Sequence, residues 1–198
     1  MSGTILRKIG AFFFNRRDLL PVPLILGLLK FAVPNRKSWL RGLPFVALGE
    51  GLRIWGIMHI GPTTRTRSIC ADRLVTSGPY SWSRHPLYLA NILKIVGLLI
   101  IAGNFRYALA VSVFYALEFS TMIPYEESFL AERFEKEFTD YARQVPVLLP
   151  SGRRFSGANP SAYSLAESLR SEKRTFASTG LILALIAIIG FLGKDIEA

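Results

Sequence analysis

The stretch that decides the fold is Leu74–Gly103, LVTSGPYSWSRHPLYLANILKIVGLLIIAG. Its first half is polar and contains two prolines, and its second half is almost entirely apolar. Gly78-Pro79 predicts a turn. Pro86 suits the first turn of a helix, because its missing N–H costs nothing there. The stretch therefore predicts a polar turn that leads directly into a hydrophobic helix.

The composition favours a membrane protein. Of 198 residues, 51% are hydrophobic and 19% are charged, whereas soluble domains carry about 25% charged residues. A helix needs about 20 apolar residues to cross a bilayer. The candidate stretches are 19–33, 42–60, 87–103, 107–123 and 176–193. We therefore expect an all-α fold, a polytopic membrane helix bundle with about five transmembrane helices.

The same pattern predicts one domain over residues 1–198. Within it, 74–150 holds the motifs, 151–175 is an amphipathic connector and 176–193 is a C-terminal span. The single cysteine, Cys70, excludes an intramolecular disulfide.

Lys and Arg residues are distributed unevenly between the segments that join the spans. If the N-terminus is cytoplasmic, segments 1–18, 61–86 and 124–175 hold sixteen of them, against five in the outside segments. This bias predicts a cytoplasmic N-terminus and places the two long polar segments on the cytoplasmic face. The net charge of +10 then suits anionic membrane lipids. Scattered basic residues without a recognisable module argue against nucleic acid as a partner.

The start of the 87–103 helix carries a polar face. Arg84, Tyr88 and Asn91 fall within about 60° of one another on a helical projection, with His85 about 60° beyond Tyr88. A helix N-terminus adds free N–H groups and a positive dipole end. This arrangement suits a carboxylate or phosphate beside a flat or apolar group. Interfacial anchoring by the same residue types is the alternative.

A second polar segment, YEESFLAERFEKEFTDYARQVPVLLP, follows the 107–123 span. It begins with Glu126 and Glu127 and continues as an amphipathic helix, which read alone is typical of a solvated surface helix. His59 and His85 are the two histidines, and neither has metal-ligand spacing to an acid or to the other. The sequence therefore predicts no metal site.

Four charged residues fall inside the predicted spans: Glu50, Arg53, Lys94 and Glu118. Such residues are costly in a membrane and are candidates for function. Glu50 and Arg53 lie three apart on one helix and are expected to pair. A structural ion pair that holds helices together is the alternative to a functional role.

The two motifs, in this order, resemble the isoprenylcysteine carboxyl methyltransferase family and its phospholipid methyltransferase relatives. The resemblance covers residues 74–150 and rests on Arg-His-Pro-x-Tyr, Glu-Glu-x-x-Leu and the final Val-Pro. It implies an integral membrane enzyme that binds S-adenosyl-L-methionine at the cytoplasmic face in a pocket made by helical connectors. The implied cofactor-binding residues are Tyr80, Arg84, His85, Tyr88, Glu126, Glu127 and Tyr141, with Asn91 on the same helix face and the 128–150 helix as a lid.

The chain departs from the family pattern at Glu135, where relatives commonly have glycine after the preceding phenylalanine, and at Ala90 and Met122. These changes bear on the identity of the methyl acceptor.

A carboxylate acceptor needs only a cation to orient it, for which Arg143, Arg133 or Arg53 are candidates. An amine acceptor would need deprotonation, with help from Glu126 or His85.

The favoured reaction is O-methylation of a lipidic carboxylate, either a prenylcysteine-like acid or an isoprenoid acid. Three alternatives stay open: N-methylation of a phospholipid amine, an NADPH-dependent membrane enone or sterol reductase, and a non-catalytic membrane protein that binds lipid.

Overall fold

The computed structural model describes residues 2–61, 73–150, 152, 154–156 and 163–196, with side chains from Arg7 to Leu192 in those ranges. These ranges form seven α-helices and no strand, which confirms the all-α prediction. The helices are α1 Ser2–Arg16, α2 Pro21–Lys30, α3 Arg36–Ile60, α4 Pro86–Ala102, α5 Phe105–Gln144, α6 Leu165–Ser171 and α7 Lys173–Ile196. Cys70 and part of the predicted connector 151–175 lie outside the described residues.

The deciding stretch folds as its sequence predicts. A short 3₁₀ turn, Gly78–Ser81, precedes α4, and α4 begins at Pro86 and ends before Gly103, which has a φ of 74°. Glycine suits that left-handed position because it has no Cβ. The predicted apolar stretch 87–103 and the observed helix differ by one residue at each end. Arg84 and His85, which the helical projection placed on this helix, precede it.

Two helices in the described ranges, α5 and α7, are long and apolar enough to cross a membrane. The 40-residue α5 contains the predicted span 107–123, and α7 contains 176–193. The 19–33 stretch forms only the ten-residue α2, which is about 15 Å long. A bundle of membrane helices agrees with these two elements, but five spans are not shown: α2 and α4 are shorter apolar helices, and α3, which contains the predicted span 42–60, is not among the candidate spans of the described ranges.

The closest helix pair is α3 against α4. Gly42, Gly49 and Gly56 recur every seven residues on one face of α3. A Cβ at Gly42 would collide with the Gly97 carbonyl oxygen, and one at Gly49 with the carbonyl oxygen of Ala90. Small residues at such positions let two backbones approach closely, and the contacts run antiparallel. The sequence prediction did not use this periodicity.

The predicted span and the predicted lid belong to one helix, α5, with a break near its C-terminal end. Glu135 has φ 39° and ψ −109°, while its flanking residues are helical. This left-handed φ is costly for any residue with a Cβ, and it falls at the position where the resemblance led us to expect glycine. Helix α1 runs antiparallel beside α5, from the Arg7–Glu132 ion pair to the Phe13–Phe114 ring contact.

Candidate functional site

The two polar motifs lie against each other through their backbones. The N–H of Arg84 donates to the Pro146 carbonyl (2.9 Å), and the N–H of His85 donates to the Val147 carbonyl (3.1 Å). Val145 is extended and ends α5, as expected for a residue before proline. The Val-Pro pair therefore turns the chain out of α5 and along the start of α4.

Side chains of both motifs meet at this junction. Glu127 Oε1 lies 3.0 Å from His85 Nε2 and 2.9 Å from Arg84 Nε. The arginine contact is an ion pair without the alignment of a hydrogen bond. The other ring nitrogen of His85, Nδ1, lies 3.9 Å from Glu126 Oε2. The imidazole of His85 therefore stands between the paired glutamates.

These contacts change the charge state of Glu127. Burial would raise the pKa of its carboxyl group, but the hydrogen bond and charge of His85 and the charge of Arg84 together lower the pKa below its usual value. Glu127 is therefore held as an anion. Arg84 also donates from Nη1 to the Ala142 carbonyl at 2.8 Å, so it ties α4 to the end of α5.

Two tyrosines complete the junction. The Tyr141 hydroxyl donates to the Tyr80 carbonyl at 2.6 Å, and both rings are buried. Burial, followed by the charge of Glu126, raises the pKa of the Tyr80 phenol well above its usual value. Tyr80 therefore remains a neutral hydrogen-bond donor.

A cavity of about 870 Å³ opens beside this junction. Seven of the eight predicted cofactor-binding residues line it: Tyr80, Arg84, His85, Tyr88, Asn91, Glu126 and Tyr141. The eighth, Glu127, lies directly behind Arg84 and His85. Of the four charged residues predicted within the spans, Arg53, Lys94 and Glu118 line the cavity and Glu50 does not. Arg143 is not on the cavity wall, and its side chain is 76% exposed beside Asp140.

The cavity is elongated and changes character along its length. On α4 it extends from Leu87 to Leu98, a distance of about 17 Å at 1.5 Å per residue. Arg84, His85 and Glu126 surround one end, whereas Ile25, Leu98 and Ile182 line the other. A molecule that fills the cavity would therefore have a polar head and an apolar tail.

The expected Glu50–Arg53 pair is wrong, because each residue pairs with a different helix. Glu50 Oε1 lies 3.2 Å from Lys94 Nζ on α4 and accepts a hydrogen bond from the Thr179 hydroxyl on α7 (2.8 Å). Arg53 binds Glu172, which follows α6, with an Nε···Oε2 distance of 2.7 Å. The three-residue spacing puts Glu50 and Arg53 on the same side of α3, but residues of other elements lie closer to each of the two charges.

Several buried polar atoms have no hydrogen-bond partner within the described ranges. They include Tyr80 Oη and Glu126 Oε2 near the polar end, and Glu118 Oε2 farther along α5. All three residues line the cavity. Buried polar groups are normally paired, so these atoms indicate where a ligand would bind. Their chemistry suits a molecule with cationic and hydroxyl groups.

The sequence prediction missed the C-terminal wall of the cavity. Tyr163, Arg174, Thr175, Ser178 and Thr179 line it, and Glu172 holds Arg53 from behind. One signal was present in the sequence: Ser164 and Glu167 form a capping box at the start of α6, a pattern that marks a helix N-terminus. Nothing in the local pattern indicated that this helix packs beside α3.

Residues 42–132 match the isoprenylcysteine carboxyl methyltransferase (ICMT) family. Over 113 residues the chain is 40% identical to the cobalt-zinc-cadmium resistance protein CzcN of Cupriavidus metallidurans, covering 55% of this chain and 47% of that protein. Over 109 residues it is 37% identical to the nickel-cobalt-cadmium resistance protein NccN of Alcaligenes xylosoxydans xylosoxydans, covering 55% and 48%. Over 113 residues it is 34% identical to protein-S-isoprenylcysteine O-methyltransferase B of Arabidopsis thaliana, covering 55% and 57%.

The chain spans about half the length of these curated relatives, and no solved structure matches it. The matched residues 42–132 include Arg84, His85 and the Glu126–Glu127 pair but end before Tyr141. In the part of the chain that the structure describes, no three His, Cys, Asp or Glu residues are grouped to hold a metal ion.

Proposed function

We propose that the chain, whose residues 42–132 match the isoprenylcysteine carboxyl methyltransferase family, is a membrane enzyme that transfers a methyl group from S-adenosyl-L-methionine to the carboxylate of a lipidic acceptor. The acceptor is a prenylcysteine-like or isoprenoid acid. The excess of Lys and Arg in segments 1–18, 61–86 and 124–175 supports a cavity mouth and N-terminus on the cytoplasmic face.

One observation carries the proposal: the Arg84–His85 motif and the Glu126–Glu127 motif meet at the polar end of a cavity whose other end is apolar. The residues at the polar end fit the cofactor. Glu126 Oε2 can accept from its ammonium or ribose hydroxyls, and Tyr80 Oη can donate to its carboxylate, since neither atom has a hydrogen-bond partner within the described ranges. The Tyr88 ring offers a flat apolar surface to adenine.

The cofactor, when bound, supplies a methyl group activated by a sulfonium. Methyl transfer to a carboxylate needs no general base, so the protein's task is to align the acceptor and exclude water. Arg53 lies on the cavity wall beside Asn91, where its guanidinium can hold a carboxylate in a bidentate manner. We assign the acceptor-aiming role to Arg53 and not to Arg143, which lies outside the cavity.

The first test is cofactor binding by the detergent-purified protein. S-adenosylhomocysteine at 100 times its dissociation constant should stabilise the fold by about 2.7 kcal/mol, measured as a rise in the unfolding temperature, while NADPH should not. Stabilisation by NADPH alone would favour a membrane reductase. Stabilisation by neither compound would favour a non-catalytic protein that binds lipid.

The second test identifies the acceptor. Labelled S-adenosyl-L-methionine is incubated with the protein and a membrane lipid extract, and the labelled lipid is treated with alkali. A carboxyl methyl ester releases its label as methanol, whereas an N-methyl group retains it. Release of the label is the expected result, and a label that resists alkali would contradict O-methylation.

One observation favours phospholipid amine N-methylation as a second candidate. Glu118 lines the middle of the cavity, is 3% exposed, and has an Oε2 atom without a partner within the described ranges. A carboxylate in that place could bind an ammonium group and remove its proton before transfer.

Glu118→Gln separates the two candidates. For an amine acceptor, loss of the base should slow transfer about a hundredfold without changing stabilisation by S-adenosylhomocysteine. For a carboxylate acceptor, the rate should stay the same or rise, because a negative charge has been removed from the cavity. Steady-state transfer rates with each acceptor class measure the difference.

A further inference from the structure

We propose that Ile25 of α2, Leu98 of α4 and Ile182 of α7 close the apolar end of the cavity, and that these three side chains, called the floor below, limit the length of the acceptor's tail. The proposal rests on the proposed function, because it concerns the acceptor in the same cavity. Ile25 and Ile182 lie outside the matched family segment 42–132, so the limit is set largely by parts of the chain that the family match does not cover.

The floor separates the cavity from the hydrophobic core. Ile182 is 8% exposed and belongs to the core cluster that also contains Leu99 and Ile186. Ile25 and Leu98 pack against the same cluster. Ile186, one turn beyond Ile182 on α7, is 0% exposed and does not line the cavity. A tail that reaches the floor can therefore extend further only by displacing packed side chains, which is unfavourable.

Four helices contribute side chains around this apolar end. Beside the floor, Ile95 of α4 and Tyr115 of α5 line the wall, and both pack against the same core cluster. Two polar wall residues adjoin this end, and both bind Glu50 of α3: Lys94 Nζ lies 3.2 Å from Glu50 Oε1, and the Thr179 hydroxyl donates to that oxygen at 2.8 Å. Since Glu50 is not on the cavity wall, these contacts hold the ammonium and the hydroxyl towards α3.

The depth of the apolar end indicates how long a tail it accepts. Asn91 lines the polar part of the cavity and Leu98 belongs to the floor, and the two are seven residues apart on α4, about 10 Å at 1.5 Å per residue. An extended chain advances about 1.2 Å per chain atom, so about eight or nine chain atoms fit between Asn91 and the floor. A geranyl tail has that length, whereas a farnesyl tail is one isoprene unit longer.

Two isoleucines of α7 provide a matched pair of variants. Ile182→Ala shortens a floor residue, and Ile186→Ala makes the same change in the core behind the floor. Both remove the same carbons from buried positions and should destabilise the protein by similar amounts. Only Ile182→Ala opens space that is continuous with the cavity. If the floor sets the limit, only this variant should accept a tail longer by about two or three carbons.

The experiment measures binding of straight-chain fatty acids, from hexanoic to hexadecanoic acid, to the detergent-purified protein saturated with S-adenosylhomocysteine. Detergent takes up the longer acids, so each variant is compared with the natural protein at the same chain length. Ile182→Ala should bind dodecanoic acid at least about fivefold more tightly than the natural protein and hexanoic acid equally well. Ile186→Ala should stay within about twofold of the natural protein for both acids.

A change of opposite sign is expected when the floor is raised. Ile182→Phe should weaken binding of decanoic acid at least about fivefold and leave hexanoic acid unchanged. Equal gains for dodecanoic acid in Ile182→Ala and Ile186→Ala overturn the proposal, because the effect then follows from general loosening of the core. Equal losses for both acids in Ile182→Phe overturn it as well.

The natural protein gives a further measurement that needs no variant. Hexadecanoic acid should bind more weakly than decanoic acid after correction for its uptake by detergent, and equal binding overturns the proposal. Methyl transfer, assayed separately, keeps the two proposals apart. A length limit in binding without transfer to any acid contradicts the proposed function and leaves the floor in place, whereas transfer to acids of every length supports the proposed function and overturns the floor.

Discussion

The pair α3–α4 and helix α7 both form walls of the cavity, but different contacts hold them. In α3–α4, backbone lies against backbone, at Gly42 beside the Gly97 carbonyl and at Gly49 beside the Ala90 carbonyl. In α7, side chains make the contacts: Ile182 and Ile186 pack in the core cluster, and Thr179 bonds to Glu50.

Because of this difference, the α3–α4 wall of the cavity is rigid, whereas the α7 wall can adjust. Backbone contacts leave no side chain that can change rotamer, so α3–α4 has little freedom to shift. Contacts between side chains can repack at a lower cost. The residues of the Arg-His-Pro motif lie on the rigid wall, and the residues that close the cavity around Arg53 lie on the adjustable wall.

The largest expected effect comes from breaking the rigid wall. Gly49→Leu would push a side chain into the Ala90 carbonyl and the Lys94 N–H, and should destabilise the protein by about 3 kcal/mol. The measurement is thermal unfolding in detergent. Gly51→Leu is the control, because a Cβ at Gly51 meets nothing within 4 Å. Equal losses in both variants would contradict the tight approach of α3 and α4.

Next in size is the loss of the acid that joins the two motifs. Glu127→Ala removes the partner of Arg84 and His85 and should weaken S-adenosylhomocysteine binding at least about tenfold, measured by calorimetry, while membrane insertion is retained. His85→Ala should act in the same direction. Glu137→Ala changes an exposed acid of the same helix and should bind normally. Unchanged affinity in Glu127→Ala would rule out the assigned cofactor site.

A smaller effect of opposite sign is expected at the break in α5. Glu135→Gly relieves a φ of 39° and should stabilise the protein by about 1 kcal/mol, measured by denaturant unfolding. Glu137→Gly, at a helical position one residue beyond Lys136, should destabilise by about 1 kcal/mol. A loss of stability in Glu135→Gly would show that the glutamate side chain compensates for its backbone.

The smallest expected effect is on the pH dependence of the protein's stability. The pKa of Glu127 is lower in the folded protein than its usual value of 4.5, so its contribution to stability is present above pH 4.5 and is lost as pH falls through the folded pKa. The natural protein should therefore lose more stability than Glu127→Gln on acidification below pH 4.5. Unfolding temperatures across that range measure the difference, and parallel curves would contradict it.

The candidate site was largely predictable because its residues lie in two short motifs with local rules. Pro86 sets the start of α4, and Val145-Pro146 ends α5, so the position of both motifs at helix ends follows from backbone chemistry. The partners of Arg53 could not be predicted, since Glu172 lies 119 residues away. Sequence spacing favoured Glu50, which the tertiary structure gives to Lys94 and Thr179.

The sequence by itself determined the all-α class, the helix that follows Arg-His-Pro, and the polar residues at its mouth, because periodicity, proline chemistry and apolar composition act over a few neighbouring residues. Only the tertiary structure decided how closely α3 and α4 approach at the glycines, which residues pair with Glu50 and Arg53, and that α7 forms one wall of the cavity. These depend on the packing of helices distant in the chain, and the energy of a charge contact depends on the distance and burial that packing creates.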